Sequence, residues 1–133
     1  MNTFVDTNIL VRHLTGDPPD MARRATRFLA NERSLVLADL VVAETVYVLE
    51  SFYRVTRPRV AAVIRSLLAM PSIKCADPPV LFRALEVYEL DRLDFAEAYL
   101  VARAEASGFG RVASFDRSID RVSTVERVEP ADH

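Results

Sequence analysis

Short apolar runs alternate along this sequence with longer stretches in which apolar residues recur at helical spacing. The short runs predict strands at residues 3–5, 35–38, 72–76, 112–115 and 124–128. The longer stretches predict helices at residues 7–14, 20–29, 39–53, 56–70, 78–88 and 94–107. Strands that alternate with helices indicate an α/β fold, with a mostly parallel sheet of about five strands covered by helices on both faces.

Local signals set the expected helix boundaries. Asp6 can cap the first helix, and the segment 16–19 breaks the pattern before a second helix that Asp20 is expected to cap. Asp94 opens the last long helix and Gly108 ends it. The residues expected on inward helix faces are Met21, Ala25, Phe28 and Leu29 in the second helix, and Val41, Glu44, Thr45, Val48 and Phe52 in the third.

The composition describes one domain with a substantial core. The chain has 133 residues, of which 50% are hydrophobic, and folding at this length buries roughly two-thirds of the unfolded surface. We therefore expect a single domain over residues 1–133. Cys75 is the single cysteine, which excludes an internal disulfide framework and a cysteine-rich zinc site. The sequence has no signal-peptide pattern and no apolar run of the roughly 18–20 residues that a bilayer requires, so a cytoplasmic location is expected.

Charge is segregated along the chain, although the net charge is only −2. Residues 12–65 contain nine arginines and six acids, whereas residues 77–105 contain seven acids and three arginines. All basic residues except Lys74 are arginines, whose side chains suit bidentate phosphate contacts. A genome rich in G and C would produce the same bias without functional meaning, so both interpretations stay open.

Four acids stand beside apolar residues, three of them near the expected ends of strands or starts of helices and the fourth inside a helix. Asp6 follows the first strand and Asp116 follows the fourth. Glu44 lies within LVVAETVYVL, and Glu97 lies one turn into the helix that starts at Asp94. The carboxyl ends of parallel strands form one rim of a sheet, where ligand crevices lie, so we expect these acids to converge. A carboxylate in apolar surroundings needs a positive partner or a proton.

Each acid also has a structural explanation. Asp6 can cap a helix, Asp94 and Glu97 fit a D-x-x-E capping box, Glu44 can pair with a buried arginine, and Asp116 can belong to a plain turn. These explanations weaken jointly, because three of the acids fall on one expected rim and the fourth comes from a neighbouring helix. Several carboxylates held close together stay ionised only beside a cation. Oxygen-only ligands favour Mg²⁺, with Mn²⁺ as a substitute.

At four places the sequence resembles the PIN domain family, in particular the VapC toxins of bacterial toxin–antitoxin pairs. The matching segments are FVDTNILV at the start, AET around Glu44, DFAEAYLVARA from Asp94, and ASFDRSID around Asp116. They follow family order and spacing from Phe4 to about Val128. The resemblance implies a compact three-layer α/β/α sandwich with a parallel sheet, and metal-dependent endoribonuclease activity.

Carried over position by position, the resemblance implies the site residues. The catalytic acids would be Asp6, Glu44, Glu97 and Asp116. The metal ligands would be Asp6, Glu97 and Asp116, with Asp94 as a further candidate, and the supporting polar residues would be Asn8 and Ser114. Similar proteins usually have Asp-Ala where this chain has Glu97-Ala98, so the choice between Asp94 and Glu97 as the third acid stays open.

The resemblance also implies partners, namely RNA as substrate, a VapB-type antitoxin and no membrane. An arginine surface would follow the RNA backbone through Arg12, Arg54, Arg57 and Arg59, whereas Arg23, Arg24 and Arg27 are interpreted as a solvated helix face. The helices at 39–53 and 56–70 carry more aliphatic residues than one sheet needs, which favours a homodimer. Two alternatives remain: a PIN nuclease that processes RNA without being a toxin, and an inactive PIN binding module. His13 is expected to face solvent without a function.

Overall fold

A computed structural model describes residues 1–132, and His133 lies outside the described residues. The chain packs as two compact units, an N-terminal unit from Met1 to Ala76 and a C-terminal unit that begins at Asp77. Each unit has helices, parallel strands and buried apolar side chains of its own. None of the helices within residues 1–132 is long and apolar enough to cross a membrane.

The N-terminal unit combines short parallel strands with longer helices. Its elements are β1 (Thr3–Phe4), α1 (Thr7–Thr15), α2 (Pro19–Asn31), β2 (Leu35–Val36), α3 (Asp39–Ser51), α4 (Arg57–Leu68) and β3 (Ile73–Lys74). The strands pair in the order β1-β2-β3, with Thr3 opposite Leu35 and Leu35 opposite Ile73. Parallel pairing needs crossover connections, and the intervening helices supply them, as the alternating pattern predicted.

Buried aliphatic side chains hold the N-terminal unit together. Leu10 of α1, Leu29 of α2 and Ile64 of α4 are completely buried. Burial of a side chain of this size stabilises the fold by about 1.5–3 kcal/mol. α1 packs against α2 and α3, which fixes its position in the N-terminal unit. Asp6 is positioned with this helix, because it lies between β1 and α1 and caps α1.

The C-terminal unit contains packed helices followed by paired strands. Its elements are α5 (Pro78–Glu86), a π-helical turn (Val87–Asp91), α6 (Phe95–Ser107), β4 (Arg111–Ala113), a 3₁₀ helix (Arg117–Arg121) and β5 (Glu126–Val128). β4 and β5 run parallel, with Arg111 opposite Glu126. The Arg83 guanidinium on α5 donates from Nε and Nη2 to the Glu105 carboxylate on α6, at 2.8 and 2.9 Å. This bidentate pair fixes the alignment of α5 against α6.

The predicted α/β class with parallel strands is confirmed, although the strands are shorter than the apolar runs suggested. Within residues 1–132 they form a three-stranded sheet, β1-β2-β3, and a two-stranded sheet, β4-β5, instead of the predicted single sheet of about five strands. The shortness of the strands has a local cause at their ends. Ala38, which the apolar run placed in the second strand, is extended but serves as the N-cap of α3. Its backbone therefore leaves the ladder to begin a helix.

Most predicted helix boundaries agree with the structure. Gly16 ends α1 in a left-handed conformation with φ 72°, and Gly108 ends α6 in the same way with φ 81°. The predicted cap at Asp20 is wrong, because α2 already begins at Pro19. Proline suits a first helical position, where its missing N–H has no partner to lose. Asp20 instead pairs with Arg23 one turn later, at 2.9 Å.

The inward faces of α2 and α3 differ from the prediction. In α2, Ala25 and Leu29 are buried as expected, but Met21 and Phe28 are 45% and 37% exposed. The buried residues of α3 are Val42, Thr45, Val46 and Leu49. Val41 and Val48 are only half-buried, and Glu44 and Phe52 are exposed. The prediction for α3 fails because this helix is apolar around most of its circumference, so the pattern does not specify one face.

Candidate functional site

Asp6 lies where β1 passes into α1. Its Oδ1 accepts a hydrogen bond from the Thr7 N–H at 2.8 Å, so the residue caps α1. The expected apolar surroundings are wrong: Asp6 is exposed, and Phe4, an apolar residue of the first strand, is itself 74% exposed. Asn8 is also exposed, in the first turn of α1. Capping uses one carboxylate oxygen and leaves Asp6 accessible to a ligand.

Glu44 lies in the middle of α3 with an exposed side chain. The expected inward orientation is wrong, because the buried face of α3 passes through Thr45 and Val46 instead. An exposed carboxylate does not need a buried arginine to offset its desolvation, which removes that structural explanation for the residue. Its carboxylate is accessible to ions and ligands from solvent.

In the C-terminal unit the structure brings Asp94, Glu97 and Asp116 together, and we call these residues the acidic cluster. The Asp94 Oδ1 accepts a hydrogen bond from the Glu97 N–H at 2.9 Å, so Asp94 caps α6 as predicted. The carboxyl groups of Asp94 and Asp116 both act on the Glu97 carboxyl group and raise its pKa. The Glu97 Oε2 also accepts a hydrogen bond from the Ser118 Oγ at 3.2 Å. The capping explanation therefore holds for Asp94, whereas the Glu97 side chain contacts the other acids.

Ser118 connects two members of the acidic cluster, and sequence reasoning missed it. Its backbone N–H donates to the Asp116 Oδ1 at 2.9 Å, while its hydroxyl donates to Glu97. The first contact has a sequence signal, because an Asp side chain often accepts from the N–H two residues later. The second contact joins residues 21 positions apart and has no local signal.

Ser114 supports the same loop from its other side. Its hydroxyl oxygen accepts a hydrogen bond from the Asp116 N–H at 2.9 Å. The Ser114 carbonyl accepts a second hydrogen bond, from the Arg127 Nη1 at 3.0 Å. These contacts hold the backbone from which the Asp116 side chain projects.

The surroundings of Glu97 oppose its ionisation. Burial is the largest cause, followed by the hydrogen bonds and negative charges of Asp94 and Asp116, and together they raise the pKa of Glu97 to about 7. The pKa of Asp116 is lowered, chiefly by its hydrogen bonds with Ser118 and then by that with Glu97. Glu97 therefore holds a proton close to neutral pH while Asp116 is ionised. A cation beside the acidic cluster would favour the ionised form of Glu97.

The acidic cluster offers only oxygen ligands, which suits Mg²⁺ or Mn²⁺. Within residues 1–132, no three His, Cys, Asp or Glu side chains are arranged as a ready-made metal site. The fit to a cation thus depends on the donor chemistry and on the raised pKa of Glu97, and not on a preformed cage. Asp94, Glu97 and Asp116 are the residues of the C-terminal unit that could hold it.

The predicted RNA-binding arginines all belong to the N-terminal unit. Arg12 is half-buried on α1, and its Nη1 donates to the Asp17 carbonyl at 3.3 Å. Arg54 is exposed in a left-handed conformation with φ 55°, and Arg57 and Arg59 follow in the first turn of α4. Their short separation in sequence places three guanidinium groups near one helix end. RNA binding by these residues stays a prediction.

His13 and Cys75 occupy positions that differ from those expected. His13 is half-buried rather than facing solvent, and its Nδ1 lies 2.8 Å from the Thr26 Oγ1 of α2. Burial lowers the pKa of His13. The contact joins α1 to α2, which gives the residue a structural role. Cys75, which the apolar run placed in the third strand, follows β3 and is half-buried.

Comparisons with known proteins identify one family. A family model described as the PIN domain matches residues 3–125. Among solved structures, VapC20 of Mycobacterium tuberculosis, a Sarcin-Ricin loop cleaving toxin, is similar with a TM-score of 0.43 and 20% identity, over 89% of this chain and 92% of that chain. VapBC2 of Rickettsia felis, bound to a DNA fragment from its promoter, is similar with a TM-score of 0.38 and 14% identity, over 98% of this chain and 100% of that chain. No curated protein matches the sequence.

Proposed function

The chain belongs to the PIN domain family, whose members are generally nucleases, and on that premise we propose that it is a divalent-metal-dependent endoribonuclease of the VapC type. The observation that carries the proposal is the acidic cluster, in which Glu97 has a pKa of about 7. Strongly shifted acids of this kind concentrate at functional sites. The family match extends from the N-terminal into the C-terminal unit, which supports the prediction of one nuclease domain.

The proposed catalytic residues are those that the family resemblance assigns: Asp6, Glu44, Glu97 and Asp116. Asp6, Glu97 and Asp116 would hold Mg²⁺ or Mn²⁺, with Asp94 as a further ligand. When bound, the cation would polarise the phosphodiester and lower the pKa of water. Ser118 fixes the Glu97 Oε2 and the Asp116 Oδ1 through its two hydrogen bonds. Ser114 holds the Asp116 backbone, and Asn8 is exposed beside Asp6.

The proposed biological role is that of a cytoplasmic toxin that cuts RNA and is inhibited by a VapB-type antitoxin. The support is the set of four sequence segments that resemble VapC toxins. A homodimer is also proposed, because α3 exposes Leu40 and Tyr47 to 79% and 68%. Large exposed apolar residues on one helix favour burial against a second copy.

Cleavage of RNA by the purified chain tests the proposal. We expect cleavage with Mg²⁺ or Mn²⁺ and none with EDTA. Asp6→Asn and Glu44→Gln should each reduce the rate at least about a hundredfold, since a catalytic metal contributes several kcal/mol. The same variants should relieve growth arrest when the chain is expressed in bacteria.

Asp20→Asn is the matched control for these variants, because Asp20 is an exposed acid in the first turn of another helix. It should cleave RNA at the wild-type rate. Near wild-type cleavage by both Asp6→Asn and Glu44→Gln would contradict the assignment. A wild-type chain that neither cleaves RNA nor binds Mn²⁺ would favour the inactive binding module.

A further inference from the structure

A cavity of about 320 Å³ opens between α1 and α2 of the N-terminal unit. Asn8, Ile9 and Arg12 line it from α1, and Met21, Arg24 and Phe28 line it from α2. Its volume is at the lower end of the roughly 300–1,000 Å³ typical of small-ligand cavities. The cavity thus has room for one nucleotide-sized group.

The walls of this cavity leave apolar surface in contact with solvent. Met21 and Phe28 are partly exposed here, although the sequence pattern predicted both as core residues. Phe28 supplies an aromatic ring, and Ile9 and Met21 supply aliphatic and thioether surface. An aromatic side chain at an open cavity is a platform on which a planar base can stack.

The polar side chains that line the cavity favour a ligand with an anionic group and with a second group that both donates and accepts hydrogen bonds. Arg12 supplies one guanidinium group, whose Nη1 donates to the Asp17 carbonyl at 3.3 Å. Arg24 adds a second guanidinium, whereas its neighbour Arg23 already pairs with Asp20 at 2.9 Å. The lining contains no acidic residue. The Asn8 carboxamide can both donate to and accept from the edge of a base.

The position of the cavity relates it to the proposed catalytic residues. Asn8 lines the cavity and is two residues from Asp6, which caps the same helix. The cavity therefore opens near the N-terminal end of α1, at which Asp6 lies. A guanidinium pair suits the phosphate of a nucleotide, because arginine binds phosphate through parallel N–H groups.

We infer that this cavity holds the base of a single-stranded RNA nucleotide adjoining the cleaved bond, stacked on Phe28, with Arg12 and Arg24 on its phosphate. The inference depends on the proposed ribonuclease function and extends it, because it assigns the site that selects the nucleotide. A peptide segment with aromatic and acidic residues has a related chemistry and is the rival occupant. The proximity of Asn8 to Asp6 favours RNA.

The test compares Phe28→Leu and Arg24→Gln with Arg33→Gln as a charge-matched control. Phe28→Leu removes the ring but keeps an apolar side chain, and Arg33 is exposed and does not line the cavity. The first readout is the affinity for short single-stranded RNAs of each base composition, measured by fluorescence anisotropy in EDTA. We expect Phe28→Leu and Arg24→Gln each to weaken binding at least about fivefold and Arg33→Gln to have no effect beyond about twofold. Thermal melting verifies that the variants fold.

The second readout is the identity of the nucleotide beside the cleaved bond, mapped on total RNA. Phe28→Leu should change or erase the preference at that position, with a higher KM and a kcat within about threefold of wild type. Cleavage by all three variants with unchanged preference and KM would overturn the cavity assignment while leaving the ribonuclease proposal intact. Absence of cleavage by the wild type would overturn the ribonuclease proposal, and the cavity inference with it. Binding of an acidic aromatic peptide in the cavity, without RNA binding, would also overturn the inference.

Discussion

Glu97 shows how the surroundings of a residue decide its chemistry. An acid among apolar neighbours needs either a positive partner or a proton, and the sequence did not choose between them. In the structure burial, followed by the neighbouring carboxyl groups of Asp94 and Asp116, raises the pKa of Glu97 to about 7. The acid is then protonated at slightly acidic pH and becomes an available ligand as the pH rises.

The pKa of Glu97 predicts a pH dependence of folding stability in EDTA. Its pKa is raised from 4.5 to about 7, so the folded chain keeps a proton that the unfolded chain has already lost. The free energy of unfolding should therefore fall as the pH rises through this window. Glu97→Gln should remove this slope, and Glu32→Gln, at an exposed acid, should keep it. Urea denaturation between pH 5 and 8 measures the difference, and equal slopes in wild type and Glu97→Gln would contradict the shift.

Ser118 should act as a positioning residue for the acidic cluster. Ser118→Ala removes the hydroxyl that donates to Glu97 but keeps the backbone N–H that donates to Asp116. We expect kcat to fall about 10-fold with little change in KM, as for loss of an outer-shell contact. The pH at half-maximal kcat should also shift, which a purely structural role would not produce. Ser66→Ala, at an exposed position of α4, is the control.

Helix ends were predictable from sequence, whereas helix faces were less so. Asp6, Gly16, Asp94 and Gly108 each have a local reason to begin or end a helix, and each does so in the structure. The inward face of α3 could not be predicted, because apolar residues surround it on most sides. In the candidate site, too, only the local feature was predictable. The sequence indicated Asp94 as a helix cap, whereas the contact of Ser118 with Glu97 depends on how α6 packs beside the loop after β4.

The cap of α6 gives a prediction that separates stability from catalysis at Asp94. Asp94→Ala removes the cap and should reduce the free energy of unfolding by about 1 kcal/mol. Asp94→Asn retains a good capping side chain and removes only the charge, so stability should change little. If Asp94 is a metal ligand, Asp94→Asn should still lose most RNA cleavage. Full cleavage by Asp94→Asn would limit the residue to capping and leave Glu97 as the third acid.

Over the whole molecule, charge is segregated along the chain. Residues 12–65 carry an excess of arginine, and residues 77–105 carry an excess of acids. A metal-dependent ribonuclease needs both a basic surface for the phosphate backbone and acids for the cation. The near-zero net charge conceals this division.

The arginine surface predicts a salt dependence of RNA binding. Arg54→Gln and Arg59→Gln should each weaken binding to RNA of any sequence. Each should also reduce the magnitude of the slope of log affinity against log salt concentration by about 1. Arg111→Gln is the control, because Arg111 lies in the C-terminal unit, 3.6 Å from the Glu126 carboxylate. Anisotropy titrations at several salt concentrations provide the slopes. Slopes equal to wild type in both test variants would exclude these arginines from the RNA interface.

Calorimetric titration with Mn²⁺ at pH 7 tests the central claim most directly, namely that the acidic cluster holds a divalent cation. We expect binding with release of a proton from Glu97, seen as a heat that varies with the ionisation enthalpy of the buffer. Glu97→Gln should abolish the proton release, and Asp116→Asn should abolish or greatly weaken binding. Absence of Mn²⁺ binding, or binding that neither substitution alters, would contradict the account.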